Sequence, residues 1–107
     1  MDHFIDWRES AGVNTEKFYK TTLWQGEHVS VGLNCLESNQ MQSVHAHQGA
    51  DKIYFVLEGR GHFTIGAEER EAHAGMLVAA PAGVPHGVTN VTAERLSLLV
   101  AIAPAIK

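Results

Sequence analysis

The sequence predicts an all-β domain, a two-sheet roll or barrel, on three observations. Apolar runs of strand length recur from Phe18 to Ile102, clusters of Gly, Asn, Pro and acidic residues separate them, and no segment sustains a 3.6-residue period. Strands this short and closely spaced favour closure over an open sheet, because closure removes exposed edges. With 107 residues, the chain can bury one core and not two, so it reads as a single domain over residues 1–107.

Taken in order, residues 1–15 carry the weakest pattern. Within them Asp6-Trp7-Arg8-Glu9-Ser10 fits a short turn, an N-terminal arm, or a strand exchanged with a neighbour. Phe18 to Trp24 is the first predicted strand. Val29, Val31, Leu33 and Cys35 follow with two-residue alternation, placing Ser30, Gly32 and Asn34 on the opposite face. Cys35, in register with that apolar set, reads as a reduced core thiol, and a lone cysteine forms no intrachain disulfide. Glu37-Ser38-Asn39-Gln40 is a turn before a strand running through Val44, His45 and His47.

Ile53 to Leu57 is apolar throughout, which predicts a strand buried on both faces, and Glu58-Gly59-Arg60-Gly61 closes it as a hairpin turn. Such a covered outer face fits a homodimer. His62 to Ile65, Gly66 as a turn, Arg70 to Ala72, Leu77 to Ala80, His86 to Thr89 and Arg95 to Ile102 complete the strands. Met41 and Met76 read as core filler, and Trp7 and Trp24 as covers for a barrel end or a dimer contact.

Charge and composition narrow the function classes. The formal charge is −4 and the eight Lys and Arg are scattered, so no footprint for a phosphate backbone exists and nucleic acid is not expected as a partner. Met1-Asp2-His3-Phe4-Ile5-Asp6 lacks the basic and apolar regions of a signal peptide. The longest apolar stretch, Leu96 to Ile106, is broken by Ser97 and Pro104 and falls short of the ~20 residues a membrane helix needs. The expectation is a soluble cytoplasmic protein with a small-molecule ligand. No phosphate-binding glycine loop, Ser-His-Asp order or carboxylate pair for glycoside chemistry is present.

Chemistry concentrates in His45-Ala46-His47 and in the run Gly75 to Asn90. Residues two apart on a strand point the same way, so His45 and His47 can direct ring nitrogens at one cation. Pro81 and Gly83 form a rigid bend that sets where His86 points, and Val88 and Asn90 share its parity as neighbours lining a pocket. His62 reads as a surface histidine, and His3, His28 and His73 as solvated.

These residues resemble the motifs of the cupin superfamily, whose fold is a double-stranded β-helix, or jelly roll. Gly75, Pro81, Gly83, His86 and Asn90 match every named position of its second motif; His45, His47 and Gly59 match the first, with Tyr54 to Glu58 resembling its usual strand and turn. The resemblance implies His45, His47 and His86 as ligands of one divalent transition metal ion, with Zn, Fe, Ni, Cu and Mn all compatible with imidazole donors.

It departs at Lys52, where the family usually places a glutamate as fourth ligand. Three readings follow. Three imidazoles hold the metal while Lys52, pointing inward, binds an anionic group of the substrate or acts as acid or base; Tyr54, of the same parity, either packs in the core with a polar tip or presents its hydroxyl to a bound ligand. Alternatively a β-bulge near Ala50 turns Asp51 inward as the carboxylate ligand. In the third, Lys52 neutralises the pocket, metal binds weakly or not at all, and the histidines line a ligand cavity. Function therefore stands between a mononuclear metalloenzyme, dioxygenase- or isomerase-like, acting on a small metabolite, and a module that binds or senses one.

Overall fold

The computed structural model describes residues 3–105; Met1, Asp2, Ile106 and Lys107, which end the acidic N-terminus and the apolar C-terminal run, lie outside the described residues. One helical turn, α1 (Trp7–Ser10), precedes nine strands: β1 (Tyr19–Gln25), β2 (Ser30–Leu36), β3 (Met41–His45), β4 (Asp51–Glu58), β5 (Arg60–Ile65), β6 (Glu68–His73), β7 (Leu77–Ala80), β8 (His86–Thr89) and β9 (Leu96–Ala103). Of the three options for Asp6 to Ser10, the chain takes the turn: the Asp6 carboxylate accepts the Arg8 N–H at 3.0 Å as an N-cap.

The strands form two antiparallel sheets, ordered β1-β2-β9-β4-β7 and β3-β8-β5-β6, as expected for a double-stranded β-helix. Side chains facing inward from both sheets make the core, with Leu36, Val56, Phe63, Val88, Leu96 and Leu98 at its centre. Burying each of these stabilises the fold by roughly 1.5–3 kcal/mol. Cys35 is fully buried and accepts a long contact from the Ser97 hydroxyl at 3.7 Å, as its register predicted.

Three expectations need correction. β4 is not buried on both faces: Lys52, Tyr54 and Val56 are enclosed, whereas Ile53 is 40% and Phe55 37% exposed in the single chain. An apolar run marks compatibility with burial, and only the packed face receives it. Met41 is 54% exposed and fills no core, while Met76 packs against the core as expected. Asn90 is fully buried and is not among the residues lining the cavity beside the histidines. Its amide donates to the carbonyls of Leu36 at 2.9 Å and Glu94 at 2.7 Å and its oxygen accepts the Thr92 N–H at 3.0 Å, stapling the β2 end to the loop before β9. No helix among the described residues is long and apolar enough to cross a membrane.

Candidate metal centre

β3 and β8 are neighbours in the smaller sheet, and His45 pairs with His86 across them. From Gln42 to His45 β3 advances three residues while β8 advances two, from Val88 to His86, so β3 carries a bulge. Gly87 lies opposite it. A Cβ there would sit 2.8 Å from the Gln42 carbonyl oxygen and 3.0 Å from the Val44 nitrogen, so the β3 backbone occupies the space a side chain would need. The bulge resets strand parity, and Gln42 and His45, three apart, both reach the interior cavity.

His47 lies beyond the end of β3, so regular alternation does not place it. Its carbonyl instead accepts the Gly83 N–H at 2.8 Å, and the bend is closed by Val84 N–H donating to the Pro81 carbonyl at 3.0 Å. Gly83 takes φ of 79°, a conformation open to glycine and costly for most residues. The turn that aims His86 therefore also anchors His47. Asp51 serves the same turn from outside: exposed, it accepts the Ala82 N–H at 2.8 Å. This overturns the Asp51 ligand reading, because β4 is regular at Asp51 and Lys52 and no bulge turns the carboxylate inward.

The three imidazoles converge. His45 Nδ1 lies 2.8 Å from the Ser43 carbonyl and His86 Nδ1 2.9 Å from the Val84 carbonyl. A carbonyl only accepts, so both rings carry the proton on Nδ1 and present the Nε2 lone pair. His45 Nε2 stands 3.2 Å from His47 Nε2, and candidate ligand nitrogens of the three residues all lie within 4.8 Å of one another. His86 is 1% exposed, and its Nε2 is buried with no hydrogen-bond partner. Leaving such a nitrogen unmet costs roughly 1–3 kcal/mol, a cost that coordination removes, so the residues present fit a bound cation.

Burial, followed by the charges of Lys52 and His45, holds His47 below the ordinary histidine range. Burial also lowers His86, partly offset by its hydrogen bond to Val84. Both effects favour the neutral, ligating ring.

Lys52 points inward, 3% exposed, with Nζ 4.8 Å from the centre of the Tyr54 ring and 3.4 Å from Gln42 Oε1. Burial, and then the charge of Lys20, bring its ammonium down to about 8. The Tyr54 hydroxyl donates to the same Gln42 oxygen at 2.5 Å, and burial raises that phenol above its ordinary value. Gln42 is thus the residue the sequence reading missed. With a folded value below the unfolded one, Lys52 opposes folding while protonated, and that penalty fades as pH rises from about 8 toward 10. In chelator-treated protein, wild type should gain about 2 kcal/mol over Lys52→Met across that interval in urea unfolding. A flat difference would contradict the depressed value.

A cavity of about 250 Å³ opens beside the histidines, with Lys20, Asn34, Gln42, His45, His47 and Lys52 among its lining. His62 is remote from this centre in chemistry as well: exposed, it pairs with Glu69 at 2.9 Å, and His3, His28 and His73 are exposed too.

The chain matches a family model described as a cupin domain over residues 32–102. It is 36% identical over 77 residues to an uncharacterized protein of Streptomyces coelicolor, covering 72% of this chain and 71% of that one. A crystal structure from Thermus thermophilus superposes with a TM-score of 0.93 at 41% identity, covering 96% of this chain and 98% of the other. A Klebsiella pneumoniae protein described as having a double-stranded beta-helix domain shares the fold at TM-score 0.91 and 17% identity, over 97% of this chain and 91% of that one. Matched over most of its strands and built around the histidine set that its motifs implied, the chain belongs to the cupin family.

Proposed function

We propose that this protein is a metal-binding cupin that acts on a small metabolite as a mononuclear metalloenzyme, with His45, His47 and His86 as ligands. The observation that carries the reading is the buried, unpartnered Nε2 of His86, facing two further imidazoles. A divalent ion bound there supplies Lewis-acid polarisation of an oxygen or an electron-transfer centre, according to its identity. Lys52 Nζ is the proton-holding group and anion partner at the cavity wall. Tyr54, its hydroxyl committed to Gln42, positions that amide against Lys52. One observation favours the non-catalytic alternative, a binding or sensing module: an ammonium stands where a fourth ligand would.

Elemental analysis of freshly purified protein tests the metal site on which the enzyme reading depends. The enzyme reading expects about one transition metal ion per chain, lost in His47→Ala and in His86→Ala. Wild type that is metal-free and takes up no added Zn, Fe, Ni, Cu or Mn would remove the metal reading and leave the binding module. Pairing of two copies through the open outer face, where Ile53, Phe55 and Leu77 are exposed, belongs to the same proposal. Sedimentation of these preparations should then give twice the 11.7 kDa chain mass, and a monomer refutes it.

A further inference from the structure

The cavity beside the histidines has an unusual charge balance. Lys20 projects from β1 and Lys52 from β4 into one space, and no carboxylate is among the residues lining it. Among the described residues neither ammonium has an acidic partner within ion-pair range. Two like charges sharing a cavity repel, and this repulsion adds to burial, the larger cause, in depressing Lys52. Lys52, enclosed and without a carboxylate partner, costs stability while protonated, and an anion bound between it and the more exposed Lys20 would offset that cost. Asn34 adds a second, independent sign: it is 4% exposed, lines the same cavity between the lysines' strands, and its amide makes no side-chain hydrogen bond among the described residues. Thr22 and Gln25 complete a polar wall on β1, where a bulge between Thr22 and Trp24 brings Gln25 to the cavity face.

We infer that Lys20, Lys52 and Asn34 form an anion subsite that takes the carboxylate or phosphate group of a small organic ligand. Ammonium groups supply the charge, and the amide supplies a neutral donor that fixes orientation. A cavity of about 250 Å³ suits a small metabolite. This inference deepens the proposed function by naming the ligand class, and it rests on that reading only in directing the ligand's other end toward the histidines.

Calorimetric titration of chelator-treated protein with malonate, methylphosphonate and neutral malonamide tests it, alongside metal uptake by the same variants. Malonate or methylphosphonate should bind and malonamide should not; whichever anion binds more tightly fixes carboxylate or phosphate as the class. Lys20→Gln and Lys52→Gln should each weaken that binding about tenfold. Lys20 is exposed on its strand, so its replacement leaves the fold intact even if the Lys52 variant does not fold. Lys20→Gln should still take up the wild-type number of metal ions per chain. Equal binding of malonate and malonamide, or anion binding untouched in Lys20→Gln, would overturn the subsite. Anion binding that disappears on chelation also overturns it, by placing the anion on the metal. Loss of metal uptake in wild type with anion binding retained would sink the metal reading and leave the subsite standing.

Discussion

Exchanging Lys52 for glutamate is expected to tighten Zn²⁺ binding on the order of 100-fold. The side chain is enclosed and shares its cavity with His45 and His47, so a positive charge there opposes a divalent cation directly. Removing that charge relieves repulsion, and a carboxylate adds attraction and an oxygen donor of the kind zinc accepts alongside imidazole. Lys52→Met, which only removes the charge, should give an intermediate gain of about tenfold. Competition against a chromophoric chelator reads both. If glutamate leaves the affinity unchanged, Lys52 does not face the ion, and its wild-type role must be sought away from the histidines.

Gly87→Ala should cost about 3 kcal/mol of stability and weaken metal binding in the same step. The added methyl meets backbone atoms of β3, which cannot rotate aside as a side-chain tip could. Relief requires β3 to move off β8 or to lose its bulge. Either change moves Gln42 out of the cavity or turns His45 from its partners, because the bulge is what lets residues three apart share a face. Urea unfolding and metal affinity measured together check this. A variant within about 0.5 kcal/mol of wild type, with unaltered affinity, would mean that the strands can part there freely.

That bulge also marks where sequence reasoning stopped. Simple alternation placed Lys52, Tyr54 and Val56 on one inward face and found the span of β8 without error, since both strands are regular. On β3 the same rule puts Gln42 opposite His45, and so the shared partner of Lys52 and Tyr54 went unseen. A glycine inside a strand, directly after a ligand candidate, was the available signal. His47 was found for a partly mistaken reason: spacing chose it, whereas a backbone hydrogen bond to the Gly83 turn holds it. Asn90 was recognised by motif and misread in role, because parity is blind to a side chain that satisfies carbonyls from two loops. Exposure of Ile53 and Phe55 was equally illegible, since apolar character does not say which face has a neighbour.

Among the described residues β9 is the last strand in chain order and the middle one of its sheet, bonded along one edge to β2 and along the other to β4. During synthesis, every residue of the histidine trio leaves the ribosome before the strand that joins the two halves of that sheet. A nascent chain arrested just past His86 would hold all its imidazoles and still lack the scaffold that fixes them. On the metal reading proposed above, acquisition of an ion should therefore follow release of β9 from the exit tunnel, a late event in the life of each new molecule.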